Sequence, residues 1–319
     1  MKKPCANPAA ALVAAVLFWL MAFTGATAAP DQAGAGTVVS LKLPAAAAAA
    51  ASDSGSVQFI GTATVLLRYQ GLTILTDPNF LHQGERVHLG YGLTSKRLTN
   101  PAIDLKDLPP IDLVVLSHMH EDHFDKLVQQ QLDKNIPIIS TPGAVAALKR
   151  MGFLQTIALS DWDQVNVEKG VTRLRITAVP GRHGKLGMQA LLPSVMGTVY
   201  DFGADPAHAD YRMYVSGDTL VYDDLKTIPQ RFPGIDLALL HLGGTRILGV
   251  FKVTMDAQDG VQLLQIVQPK HAIPIHYNDY DVFKSPLADF AREVEAAGWR
   301  DRVTYLRHGD RYQFVLNKR

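Results

Sequence analysis

Residues 118–123 read His-Met-His-Glu-Asp-His, three imidazoles and two carboxylates in six positions. They come directly after the apolar run IDLVVL and Ser117, and before DKLVQQQLDK, a helix-like stretch. Side chains of this kind at the carboxyl end of a strand fit a ligand site, because α/β folds gather such sites there. Imidazole nitrogen and carboxylate oxygen suit Zn²⁺ and similar borderline metals. One tetrahedral ion cannot use His118, His120, Asp122 and His123 together and still keep an open position. Two adjacent ions can, given further ligands from elsewhere in the chain. The bland alternative is a polar strand-end loop with solvated histidines; the density and placement of the cluster argue against it.

HMHEDH resembles the HxHxDH signature of the metallo-β-lactamase superfamily. That family carries a further histidine, an aspartate and a last histidine on later strand-end loops. Here His183 in VPGRHGKLG, Asp218 in VSGDT and His276 in IPIHYND stand in that order. The resemblance implies a four-layer αββα sandwich over most of residues 57–319. It also implies His118, His120 and His183 on a first zinc, and Asp122, His123 and His276 on a second, with Asp218 and a hydroxide shared by both. Mn²⁺ or Fe²⁺ are the alternative ions. Histidine in the first site, where flavodiiron-type members carry glutamate, favours hydrolysis over redox chemistry. Taken singly, His183 also reads as an ordinary loop histidine, Asp218 as a turn or N-cap residue, and His276 as a core histidine.

GTATVLLRYQGLTILTDPNF, LPPIDLVVLSHMHEDHFD and MDAQDGVQLLQIVQPKHAIPIHYNDY are similar to one branch of the superfamily. That branch includes proteins like ascorbate-6-phosphate lactonase and N-acyl-phosphatidylethanolamine phospholipase D. Asp77, in LTDP, is expected to orient a ligand histidine by accepting its hydrogen bond; otherwise it is a turn aspartate before Pro78. His241 ends the apolar strand IDLALLHL and is expected at the rim, against a substrate oxygen, or else buried and hydrogen-bonded. Tyr222 and Tyr277 lie beside ligand segments, where they either polarise a substrate or pack. His82, His88, His208, His271 and His308 lack such company and are expected to be surface or structural. Asp122 is the candidate to handle the proton released when the hydroxide attacks.

These residues must be positioned by the elements between them. Apolar runs such as IDLVVL, IPIIST and IDLALLHL read as buried strands. AVAALKRMG, DAQDGVQLLQIVQ and SPLADFAREVEAAG read as helices, the second opened by Asp256 and the third capped. VQFIGTATVLLRYQ reads as one strand and RVTYLRHGDRYQF as a hairpin-like tail. Interleaved strands and helices indicate an α/β layered fold. Residues 80–100, with the length and glycine content of a lid, and LLPSVMGTVYDFGADPAHAD after His183 are expected to set the substrate.

The amino terminus has Lys2 and Lys3, an apolar run at about 9–23 and Ala26-Thr27-Ala28. This is a secretory signal pattern, with cleavage expected after Ala28 and export to the periplasm or beyond. An uncleaved anchor, the competing reading, would be the only route to a membrane; the run is short for a span of ~20 residues. Residues 29–56, rich in Ala, Gly and Ser, read as a linker or arm. Cys5, the single cysteine, lies within the signal, so no disulfide is expected in the mature chain. A formal net charge of +1 argues against a nucleic-acid partner.

The expectation is therefore an exported dinuclear zinc hydrolase acting on an ester-, lactone- or phosphodiester-type bond in a small or lipid-derived substrate. A cysteine ligand found in some true β-lactamases is absent, Asp218 taking that motif, which disfavours lactam hydrolysis. The alternatives are a phosphodiesterase for phospholipid head groups and a non-catalytic metal-binding protein on the same fold.

Overall fold

Consecutive residues of a strand face opposite sides of its sheet. The run Leu113-Val114-Val115 is therefore buried only if something covers both faces. In the computed structural model Leu113 and Val115 join one buried cluster and Val114 joins another. The structure describes residues 36–45, 53–90, 92–185, 187–203, 208–247 and 249–316. The expected signal at 1–28 lies outside the described residues.

The first strands are β1 (Val38–Leu43), β2 (Ser54–Gly61), β3 (Thr64–Tyr69), β4 (Leu72–Thr76), β5 (Arg86–His88), β6 (Thr94–Lys96), β7 (Leu113–Val115), β8 (Ile138–Ser140) and β9 (Thr156–Ala158). Helix α1 (Lys126–Gln131) follows β7, and α2 (Pro142–Arg150) follows β8. Next come β10 (Gln164–Lys169), β11 (Thr172–Pro180), β12 (Met196–Phe202), β13 (Tyr211–Val215), α3 (Thr227–Arg231) and β14 (Leu237–His241). The chain continues through β15 (Arg246–Ile247), β16 (Phe251–Lys252), α4 (Ala257–Val267), β17 (His271–Ile275), α5 (Leu287–Ala296) and β18 (Arg311–Val315).

One seven-stranded sheet has the order β18-β2-β3-β4-β7-β8-β9, the other β1-β10-β11-β12-β13-β14-β17. Three apolar clusters define the layers. Phe59, Val65 and Leu67 of the first sheet meet Val165, Val167 and Ile176 of the second between the sheets. The outer face of the second sheet, with Tyr214, Ala238 and Leu240, packs on Leu263 and Leu264 of α4 and Phe290 and Val294 of α5. The outer face of the first, with Leu66, Leu75 and Val114, packs on Val128 of α1 and Leu148 of α2. The order is helix, sheet, sheet, helix, the expected αββα sandwich.

Several local readings change. Residues 29–56 are not all linker: six residues of β1 pair in parallel with β10, and Leu43 is buried in the inter-sheet cluster. The alternation VVSLKL places Val39, Leu41 and Leu43 on one face, a period-2 signal masked by the small residues around it. VQFIGTATVLLRYQ is two antiparallel strands, β2 and β3, turned at Gly61 and Thr62, whose φ values are 142° and 53°. The tail is no hairpin; β18 pairs with β2 across the whole chain length. Helix α5 starts at Pro286 without a side-chain cap, whereas α4 has a full capping box between Asp256 and Asp259.

Candidate metal centre

Strands β4 and β7 run parallel, as do β13, β14 and β17. β11 shares the direction of β13, since both are antiparallel to β12. The loops leaving these strands carry Asp77, residues 117–124, His183, Asp218 and His276, and His241 is the last residue of β14. All are brought together. Asp125 caps α1 by accepting from the Val128 amide at 2.9 Å, and its other oxygen accepts from Leu81 at 2.9 Å and from Phe80. The turn that carries three histidines is thus tied at one end to helix α1 and to the loop after β4.

Backbone shape aims the remote ligands. Gly217 has φ +60°, and a Cβ there would stand 2.6 Å from the Met196 carbonyl oxygen, so only glycine can precede Asp218. His276 and Asp77 are non-glycine residues in the left-handed region, with φ 62° and 39°. Such conformations cost of order 1–3 kcal/mol and mark functional sites. The His276 amide donates to the Thr62 carbonyl at 2.6 Å, holding that turn.

The donor atoms form two groups. His118 Nε2 lies 2.9 Å from His120 Nδ1, and His183 Nε2 lies 3.0 Å from the same atom. His123 Nε2 lies 3.1 Å from His276 Nε2 and 3.2 Å from Asp218 Oδ2, with Asp122 Oδ2 3.4 Å from His276 Nε2. Asp218 Oδ2 also comes within 3.9 Å of His118 Nε2, which places this carboxylate between the groups.

The outer ring nitrogens are committed. His183 Nδ1 donates to the Val253 carbonyl at 2.8 Å, and His276 Nδ1 to that of Leu242 at 3.0 Å. The Ser117 hydroxyl donates to Asp77 Oδ1 at 2.8 Å and so accepts from His118 Nδ1 at 3.0 Å. These bonds leave bare lone pairs on the inner nitrogens. Lone pairs facing one another at about 3 Å repel unless a cation lies among them, and two nitrogens ~2.0–2.1 Å from one ion stand about that far apart. Asp122 Oδ1 and Asp218 Oδ1 are buried without a hydrogen-bond partner. Buried unpaired carboxylate oxygens are costly unless they meet a cation. The residues fit two metal ions.

Electrostatics differ between the two groups. Burial, then the neighbouring imidazoles, holds His118 well below the usual imidazole range and brings His120 down to about 3, so both offer lone pairs. Burial opposes ionisation of Asp218, but His276 and His123 outweigh it and hold the carboxyl well below the carboxylate range. Burial likewise opposes a proton on His123, and Asp218 with Asp122 reverses that, raising it.

Asp77 is where the sequence placed it: Oδ1 lies 3.3 Å from His123 Nδ1 and accepts from the Ser117 amide at 2.8 Å. His241 is not at the rim. It is fully buried, stacked on His123 with centroids 5.8 Å apart and planes at 11°. Its Nε2 lies 3.6 Å from Asp77 Oδ2, and its Nδ1 lies 3.3 Å from Ser216 Oγ. The strand-end position was legible, but its depth was not. Tyr277 is buried with its hydroxyl donating to the Leu306 carbonyl, and Tyr222 lies under the Arg182 guanidinium at 3.9 Å; both pack.

His120 keeps a partly exposed ring, and it opens on a cleft of about 290 Å³. The hairpin β5–β6, inside the expected lid, contributes His88 and Leu89, and the loop after His183 contributes Leu191, Leu192 and Pro193. Met196–Phe202 of that second segment is strand β12, not loop. His88 was expected to be surface or structural; its amide donates to Glu121 Oε2 at 2.7 Å, which ties the hairpin to the metal turn. Arg97, fully buried under the hairpin, was not singled out from sequence; it donates to Asn79 and to the Thr99 carbonyl.

Residues 73–277 match the family profile described as the beta-lactamase superfamily domain. The chain belongs to the metallo-β-lactamase superfamily. A UPF0173 metal-dependent hydrolase of Nanoarchaeum equitans is 26% identical to this superfamily member over 197 residues, 61% of the chain and 82% of the relative. Another from Thermus thermophilus is 26% identical over 245 residues, 76% and 92% of the two chains. Among solved structures, the isothiocyanate hydrolase from Delia radicum gut bacteria superposes with a TM-score of 0.69. It is 21% identical and covers 82% of this chain and 99% of its own, a likeness of fold. The homologues of this metallo-β-lactamase-fold chain are thus named metal-dependent hydrolases.

Proposed function

We propose that the protein is a dinuclear metal hydrolase, with zinc as its metal, that cleaves an ester-, lactone- or phosphodiester-type bond. The observation that carries this reading is the meeting of two donor groups at Asp218, with two buried carboxylate oxygens left unpartnered. His118, His120 and His183 would hold one ion, Asp122, His123 and His276 the other, and Asp218 both. Ions held there supply a Lewis acid and a water acidic enough to give hydroxide near neutral pH.

The chain's own residues do the rest. Ser117, Val253 and Leu242 lock the tautomers of His118, His183 and His276, so each ring presents a lone pair. Asp122, whose Oδ1 makes no hydrogen bond, is placed to take the proton set free in the attack. The one partly exposed ligand, His120, puts substrate entry at the cleft.

The test is a screen of the full chain against carboxylic esters, lactones, phosphodiesters and lactams, with Asp218→Ala beside it. Turnover of at least one of the first three classes, lost in Asp218→Ala, is expected. Activity surviving unchanged in that variant contradicts the reading. Export through the amino-terminal 28 residues is proposed with it; a mature protein that retains Met1 or sits in the cytosol contradicts that part.

A further inference from the structure

The cleft beside His120 has an unequal chemical lining. Leu89, Met119, Phe124, Met151, Leu191 and Leu192 supply its walls. Among the described residues no lysine or arginine lines it, and the carboxylate at its edge belongs to Glu121. An anionic group would find no lysine or arginine there and would face that carboxylate. Phosphate and carboxylate groups are recognised by cationic forks or by backbone nests. Apolar walls with a few polar groups at one end mark a site for an uncharged hydrophobic portion of a ligand. Because His120 belongs to both the cleft and the first donor group, a ligand filling the cleft would have one end beside that donor group.

We infer that the cleft is an acyl-chain subsite: the substrate is an uncharged carboxylic ester or lactone whose aliphatic chain lies between the β5–β6 hairpin and residues 191–193. This deepens the proposed hydrolase function and rests on it. Exposed large apolar side chains on residues 80–100 are confined, among the described residues, to Leu98; Leu81 and Val87 are buried against Tyr280, and Leu89 is the apolar side chain this region gives to the cleft.

The experiment has one arm that needs no turnover. Acetohydroxamate and octanohydroxamate are titrated into the zinc-loaded full chain by calorimetry; the head group is common and only the chain differs. Full burial of a methylene is worth roughly fourfold in affinity, so octanohydroxamate should bind at least ~10-fold tighter. Leu192→Asp and Leu89→Asp, on opposite walls, should each bring that ratio towards one. A ratio near one in the unaltered chain, or one that neither folded variant changes, overturns the inference. In the second arm kcat/KM is measured for p-nitrophenyl acetate, butyrate, hexanoate and octanoate, and it should rise along the series. Chain-length selectivity in binding with no turnover of these esters or of any lactone or phosphodiester in the screen sinks the hydrolase reading and leaves the subsite standing. Turnover without chain-length dependence sinks the subsite and leaves the hydrolase reading standing.

Discussion

Asp77 sits between two imidazoles. One oxygen faces His123 and holds Ser117; the other faces His241. Burial works against its ionisation, but the bonds and charges of the two histidines hold its carboxyl far below the usual range. Asp77→Asn keeps an acceptor for Ser117 and loses the charge that orients His123. Metal affinity, read by competition with a chromophoric chelator, should fall by roughly 10–100-fold. Because His241 touches the site through Asp77 and through its ring contacts with His123 and His276, the effect of His241→Leu should not simply add to that of Asp77→Asn. A double-mutant cycle should show about 0.5–3 kcal/mol of coupling; strict additivity would make His241 a packing residue only. At this scale the sequence was informative. All seven proposed ligands and Asp77 carry a signal in residue type and strand-end position. What sequence could not supply was depth, which decides between a rim histidine and a buried one at 241.

The elements divide into those with a strong period and those held by tertiary bonds. Long apolar runs such as 111–116 and 235–242 announced strands because both faces are covered. β5 and β6 are three residues each and lack such a run; they exist because Ser95 donates to Asp281 at 2.6 Å and Arg97 is buried beneath them. Glu121 is the further tie from the metal turn to this hairpin. Glu121→Ala removes a hydrogen bond worth about 0.5–1.5 kcal/mol, and KM should rise some 2–10-fold with kcat little altered; an unchanged KM would show that the hairpin does not shape the substrate site. β1 was hidden among alanines and glycines. Deleting residues through Leu43 uncovers the edge of β10 and strips Val39, Leu41 and Leu43 from the inter-sheet cluster. The unfolding free energy should fall by about 2–4 kcal/mol, while a chain cut after Ala28 keeps full stability in the same denaturant titration.

Across the whole molecule, the turn after β17 ties distant parts of the chain. Asp279 accepts from the Thr62 amide at 2.6 Å, from the Thr99 hydroxyl and from His308 Nε2 at 3.1 Å. Burial alone would raise its pKa, and the bonds to His308 and Thr99 outweigh it, so the carboxyl is depressed. A depressed carboxylate stabilises the fold above its unfolded value of ~3.9, and that contribution is lost as pH falls through the lower folded value. Asp279→Asn should therefore cost about 1–3 kcal/mol at pH 7. The gap from the unaltered chain should narrow below pH ~4; a gap independent of pH would contradict this role. None of these partners is near Asp279 in sequence, which is why no local pattern revealed it. Two sheets, packed so that their strand ends meet, place His123 and His276 side by side from 153 residues apart. The most direct measurement is a titration of Zn²⁺ into chelator-stripped full chain, with hydrolysis of the best substrate from the screen as readout. Activity should be absent at the start, rise with added metal and saturate at two equivalents per chain. Full turnover in the stripped protein, or saturation without stoichiometric metal, would contradict a two-metal hydrolase.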